Sequence, residues 1–332
     1  MNAAFQRSLR STAFALALVF TCCFIASPVS AITVSPVLYD FEITPGRSVQ
    51  DKIRLINDTN QRETFTLNAE NFVASGEDGG QTYLDEATPT GLASWVRFGE
   101  PTITLNPGES AEFPFMIGVP EGAEPGGHYA TLFFTRGGGE KNGSAVGIAE
   151  QVGVLLLVRV PGDVREDARV ESLRMKDGGF LNRLPAVFEL RIRNAGSVHL
   201  RPRGTVVVRN MLGSVVARLS ANPNNAAVLP NSVRRIEAGW AKTLETSSGG
   251  FLAELRNEWR NFAIGRYTAS VDVTYGSQQA QLGKTSVSFW VLPWHVILVA
   301  MVLLGGLIGL IRLYNAMLVR SAMKKLQRKR KG

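Results

Sequence analysis

The sequence predicts an all-β chain: two tandem immunoglobulin-like β-sandwich domains followed by one transmembrane α-helix. Three observations carry this expectation. Period-two alternation of apolar and polar residues fills the chain between residues 32 and 290. A set of landmarks occurs twice at matching spacing, and a run near the C-terminus has no charged side chain from Val296 to Ile311.

The strands are read first. Ser48-Val-Gln-Asp-Lys-Ile-Arg-Leu-Ile-Asn57 puts Ile53 and Leu55 on one face and Lys52 and Arg54 on the other. Phe188, Leu190 and Ile192 alternate with Glu189 and Arg191, and Tyr267, Ala269, Val271, Val273 and Tyr275 alternate with polar partners. Alternation of this kind marks a strand with one face in a core. Pro45-Gly46, Asn57-Asp58, Pro107-Gly108, Gly178-Gly179 and Gly249-Gly250 supply the turns. Val152 to Val160 is almost continuously apolar, as expected of a strand covered on both faces. Thr205 to Leu219 reads as a hairpin about a four-residue turn.

The repeat sets the domain count. A strand ends in Asn at Asn57 and again at Asn194, and a Gly-x-Tyr follows at Tyr129 and Tyr267, separations of 72 and 73 residues. Gly-x-Tyr at a strand start resembles a tyrosine corner, whose hydroxyl bonds back to nearby backbone. The boundaries expected are 32–162 for the first sandwich and 163–290 for the second.

The two ends fix the expected topology. Arg7 and Arg10, the apolar stretch Ala13 to Ala26, and Val29-Ser30-Ala31 read as a signal peptide over residues 1–31. Cys22 and Cys23 both fall inside it, so the exported part is expected to hold without a disulfide. Val291 to Ile311 supplies 21 residues with His295 the one interruption, and about 20 helical residues cross the ~30 Å hydrocarbon core. Trp290 and Trp294 fall at the entry, where amphipathic rings favour the headgroup level. Pro293 is expected in the first turn, where its missing N–H costs little. Arg312 opens a tail, 312–332, with eight basic residues and no acid. That asymmetry puts the tail in the cytoplasm and the N-terminal part outside a cell membrane crossed once.

Charge then loses its usual meaning. The formal net charge is +8 and the pI about 9.7, but residues 32–311 alone carry a net −2. The basicity is topology and attraction to anionic lipid, and no nucleic-acid partner is expected.

No enzyme is expected either. The three histidines share no metal-ligand spacing, no G-x-S-x-G or HExxH occurs, and the glycine clusters lie in hairpin loops. No cofactor, metal or catalytic residue is assigned. Glu77-Asp78 reads as solvated loop charge, and His199 as a residue on a strand edge. Tyr83, Asp85, Trp95 and His128 form a candidate ligand surface, against which stands the plainer reading of Trp95 as core. Phe251, Leu255, Trp259 and Phe262 share one face of a short helix. That face is expected over the sandwich, with the membrane surface as the alternative. Gly305 and Gly309 make a GxxxG, which permits close helix approach and a homodimer through the span.

Ile32-Thr-Val-Ser-Pro-Val37, Ile43-Thr-Pro-Gly46, the strand ending at Asn57, Leu105-Asn-Pro-Gly-Glu-Ser110 and Val119-Pro-Glu-Gly-Ala-Glu-Pro-Gly-Gly127 together resemble bacterial WxL-interacting surface proteins. The motif resemblance covers residues 32–135. It implies a peptidoglycan-binding immunoglobulin-like domain, a second sandwich that binds protein, one span and a basic tail. Gly126 to Phe134 is more polar than the family's equivalent stretch, and no functional residue carries over. The function expected is therefore a membrane-anchored, non-enzymatic surface protein contacting peptidoglycan or other surface proteins. The alternatives are a pilus-chaperone-like assembly factor, or a structural or signalling subunit of a membrane complex.

Overall fold

The computed structural model describes residues 32–84, 91–136, 150–243, 249–276 and 279–329, with side chains as far as Ser321. The signal-peptide expectation, Asp85 and the 137–144 loop tip lie outside the described residues. The chain is mostly strand and divides into two compact units. The first takes in residues up to Val158 except Phe72–Tyr83 and Glu124–Gly127, which cluster with the second unit, Arg159 onward.

The N-terminal sheets use β1 (Ile32–Ser35), β2 (Leu38–Glu42), β3 (Ser48–Asn57), β4 (Glu63–Ser75), β5 (Gly80–Tyr83), β6 (Val96–Phe98), β7 (Thr102–Leu105), β8 (Ser110–Gly118), β9 (Gly126–Arg136) and β10 (Gln151–Val160). A single turn of helix, α1 (Leu92–Trp95), precedes β6. One sheet has the order β1-β3-β8-β6, the other β2-β10-β9-β4-β5, with β7 also on β4. Alternation does what the sequence dictates. Ile53 and Leu55 are buried opposite Phe113 and Ala111 of β8, and Phe113 meets Phe134 edge-on at 5.5 Å. The apolar run of β10 lies between β2 and β9.

The second pair of sheets uses β11 (Ala168–Met175), β12 (Phe180–Leu181), β13 (Ala186–Asn194), β14 (Arg203–Asn210), β15 (Val215–Ser220), β16 (Ser232–Trp240), β17 (Gly265–Tyr275) and β18 (Ala280–Val291). The orders are β11-β13-β16 and β12-β18-β17-β14-β15. Phe188, Leu190 and Ile192 face Tyr267, Ala269 and Val271 across one core. Phe188, Trp240 and Tyr267 surround Phe289 at centroid distances of 5.6, 6.4 and 5.7 Å. The β14–β15 turn is the four residues Met211–Ser214. Asn210 Oδ1 accepts the N–H of Leu212 and of Ser214, both at 3.0 Å.

One landmark of the expected repeat has the same role at both positions. Asn57 and Asn194 are both fully buried at the end of a strand. Asn57 Nδ2 donates to the carbonyls of Gln61 (2.8 Å) and Leu105 (3.1 Å), while Oδ1 accepts the N–H of Thr59 (3.1 Å). Asn194 does the same to Val198 (2.8 Å), Val228 (2.8 Å) and Gly196 (2.9 Å). Each amide saturates three backbone groups that would otherwise be buried without a partner, the reason a polar residue sits in each core. The Tyr267 hydroxyl donates to the Ile264 carbonyl at 3.2 Å, three residues upstream, as a tyrosine corner requires.

Two helices complete the second unit: α2 (Gly250–Arg260) and α3 (Trp294–Lys329). Three expectations are corrected here. The apolar C-terminal helix starts at Trp294 rather than Val291. Val291 is still in register with Gly265 at the end of β18 and fully buried, so its backbone is committed to the sheet. Pro293 stands just before the helix, and its carbonyl accepts the Ile297 N–H at 3.0 Å. The aromatic stripe of α2 does not face the sandwich. Its buried residues are Asn257 and Glu258, while Trp259 is 70% exposed. His199 also differs: it is buried in the loop after β13, next to the isolated Leu200–Val228 bridge, and lies outside any strand.

Candidate functional site

The most unusual chemistry gathers where β18 becomes α3. Residues Trp294–Ser321 form 28 residues of helix long and apolar enough to cross a bilayer, and none of its most apolar stretch is buried in the fold. At 1.5 Å rise these residues extend about 42 Å, the thickness of a bilayer including its headgroups. Trp290 and Trp294 are each 45% exposed, one at the end of β18 and the other opening the helix. Arg312 is exposed and lies 18 residues further along.

His295, the one polar interruption, is explained by a residue 37 positions away. Glu258 of α2 is fully buried; its Oε1 lies 2.6 Å from His295 Nδ1 and its Oε2 accepts the Val296 N–H at 3.1 Å. The carboxylate therefore serves a side chain and one of the unpaired N–H groups in the first turn of α3, where the helix dipole also favours negative charge. Phe251 meets the His295 ring edge-on at 5.1 Å, and Trp294 covers it at 3.6 Å. Glu254 of α2 pairs with Arg183, and Lys242 donates to the Phe262 carbonyl. Asn261 accepts the Thr243 N–H at 3.0 Å. Between α2 and α3 runs an apolar groove of about 370 Å³, lined by Leu252, Leu255, Trp259, Val296, Val299 and Leu303 among others. Spacing could have suggested this contact: Glu258 sits seven residues after Phe251, on the same helical face.

A second cluster holds residues 72–83 within the second unit. Arg191 of β13 grips Glu77 through both Nε (2.7 Å) and Nη2, and Arg235 of β16 grips Asp78 with bonds of 2.8 and 2.7 Å. The Arg235 N–H donates to the Glu77 carbonyl at 2.7 Å. Gly79 lies against the Arg234 guanidinium so closely that a Cβ there would overlap it, and its φ of +87° would strain a side chain independently. The Arg191 hydrogen bond, with Arg235 and Arg193 nearby, holds the Glu77 carboxyl below its ordinary range. Burial pulls Arg234 down, while the Asp78 bond lifts Arg235. Glu77-Asp78, expected to be solvated loop charge, is thus anchored. The missing signal was the cluster of arginines on the strand faces opposite, at sequence separations above 100 residues.

The expected ligand surface divides. Trp95 is buried in the first unit and packs on His128, ring centroids 4.5 Å apart. Tyr83 belongs to the segment that clusters with the second unit, is 39% exposed, and meets Phe72 edge-on at 6.3 Å. Gly305 and Gly309 face open space on α3. Among the described residues no group of three or more His, Cys, Asp or Glu is placed to hold a metal ion.

Neither a family model nor a curated protein matches the chain. Among solved structures it is similar to the class 5 fimbriae chaperone CfaA, at 10% identity and a TM-score of 0.36, covering 79% of this chain and 100% of that one. The Escherichia coli chaperone DraB gives 10% identity, 78% and 97% coverage and a TM-score of 0.35. The Acinetobacter baumannii CsuC–CsuE chaperone–tip adhesion subunit pre-assembly complex gives 10%, 78%, 98% and 0.34. Likeness at this level is too loose to carry a functional inference.

Proposed function

We propose that the protein is a single-pass, membrane-anchored binding protein of the cell envelope, non-enzymatic, whose β-sandwich units work on the extracytoplasmic side. The observation that carries this reading is α3: a 28-residue apolar segment that the fold leaves uncovered. In water that surface would be a large unsatisfied apolar area, and lipid is the solvent that satisfies it. The basic residues from Arg312 onward support a cytoplasmic tail. Alkaline extraction of cell membranes tests the anchor: the full chain is expected in the pellet, and its release into the supernatant overturns the reading. Protease added outside intact cells is expected to remove epitopes on both sandwich units and to spare the tail.

The partner we propose is another envelope protein, with peptidoglycan, implied by the WxL-interacting resemblance, as the competing ligand. Crosslinking in intact cells against co-sedimentation with purified sacculi separates the two. A protein adduct supports the first, sacculus retention the second, and neither outcome overturns the binding role.

An assembly factor that accepts a client strand is the second reading, favoured by one edge. In the second unit β12 has two residues, β11 is bulged between Val170 and Ser172, and β16 gives its Arg235 N–H to Glu77. β15, six residues long, has no hydrogen-bonded strand on its outer side among the described residues, and an unpaired edge of that kind can take up an extended segment. Val216→Pro or Arg218→Pro is expected to abolish client capture with the anchor intact. Undiminished capture in both variants removes β15 as the site.

A further inference from the structure

Exposed apolar side chains of the second unit cluster at one end. β17 begins at Gly265 in register with Val291, where β18 ends, and Arg266 is in register with Trp290. β14 ends at Asn210 in register with Tyr267, so the β14–β15 tip, Met211 and Leu212, projects beyond the same end. The Met211 methyl lies over Gly265. On the other flank of β18, Phe180 of β12 is in register with Trp290. α2 sits here too, packed on the first turns of α3. At this end Leu212 is 84% exposed, Phe180 78%, Leu252 77%, Trp259 70% and Met211 65%.

Among the described residues beside them, Arg256 and Arg266 present exposed guanidinium groups, while Glu254 is paired with Arg183 and Glu258 is buried on His295. Apolar rings and methyls, flanked by guanidinium groups and continuous with an apolar helix of bilayer length, make the composition of a membrane-interface element.

We infer that this end of the second unit is seated in the lipid: α2, the β14–β15 tip and Phe180 form an apolar collar that enters the headgroup layer of the leaflet through which α3 passes, with the nearby arginines on lipid phosphates. The inference rests on α3 being a span and adds a second, larger contact to it. It also explains why Trp259 and Phe262 of α2 stay exposed, and why the α2–α3 groove is apolar yet open: an acyl chain fills it. The Glu258–His295 pair then acts as the rivet that holds α2 at the depth where the helix enters.

Nitroxide labels on the full chain, reconstituted in phosphatidylcholine/phosphatidylglycerol vesicles with Cys22 and Cys23 replaced by Ser, test this. Leu212→Cys and Leu252→Cys report the collar, Leu307→Cys the span, and Gln281→Cys, exposed at the far end of β18, the water phase. Collar labels are expected about 5–10 Å into the headgroup–acyl boundary, with an oxygen-to-nickel accessibility ratio several-fold above that of position 281. Position 307 in lipid with 212 and 252 as nickel-accessible as 281 overturns the collar and leaves the span standing. Position 307 in water overturns both. Spin–spin broadening at 252 that disappears on dilution with unlabelled chain assigns the surface to a second copy and overturns the lipid assignment.

Discussion

Glu258 and His295 are joined by a 2.6 Å contact buried at the root of an otherwise exposed apolar helix, and the same carboxylate takes the Val296 N–H. Glu258→Ala removes both partners at once and leaves a buried ring nitrogen and a backbone N–H unsatisfied. A loss of about 2–4 kcal/mol in the stability of the α2–α3 joint is expected. Hydrogen exchange of α2 amides in the full chain in detergent measures it, and protection equal to wild type would refute the linkage. Glu258→Gln, which keeps an acceptor, is expected to lose less.

Asn57→Ala and Asn194→Ala test the repeated amide. Each strips partners from two carbonyls and one N–H in a closed core, so each is expected to cost about 2–3 kcal/mol. Because the two residues lie in separate units, the effects are expected to add within about 0.5 kcal/mol in the double variant. Denaturant titration of the three variants checks both statements.

Acid is expected to release residues 72–83 before the sheets unfold. The hydrogen bond from Arg191 holds the Glu77 carboxyl below the usual carboxylate range. A group with a depressed folded pKa contributes stability that is present above its unfolded pKa and lost as pH falls through the folded one. Protection factors of residues 72–83, each referred to the intrinsic exchange rate at its own pH, are therefore expected to be constant above about pH 5 and to fall below about pH 4.5. Glu77→Gln should abolish that acid-dependent loss of protection while lowering protection at neutral pH.

Tyr267→Phe removes the hydroxyl that accepts the Ile264 N–H and donates to its carbonyl, at 3.3 and 3.2 Å. The ring packing on Trp240 and Phe289 survives the change, so the expected cost is confined to about 0.5–1.5 kcal/mol. A larger loss by calorimetry would show that the corner also shapes the α2–β17 connection.

Strand faces were legible because period two is a local property: Ile53 with Leu55, and Phe188 with Ile192, declare their side without knowledge of their partners. The strand-end Asn57 and Asn194 were legible for the same reason, since each closes a short alternating run, and the structure gives both matching backbone partners. What stayed hidden was pairing across distance. Nothing near Glu77 names Arg191, 114 residues away, and nothing in an apolar run says that His295 has a carboxylate waiting on another helix. α2 was misjudged for a different reason. Periodicity identifies the face that leaves water but not whether protein or lipid receives it, so Phe251, Trp259 and Phe262 could not be oriented from spacing alone. Trp95 and His128 met through tertiary packing, while Tyr83 went with the other unit.

Only Leu292 and Pro293 separate the last residue of β18 from the first of α3, and Pro293 is buried with its carbonyl already in the helix. So short and locked a connection transmits torque. On the proposed reading, in which α3 spans a bilayer, a lean of α3 to fit a thicker or thinner one makes the sheet built on β18 lean by the same angle, and the second unit becomes a pointer geared to the membrane rather than a float on a string.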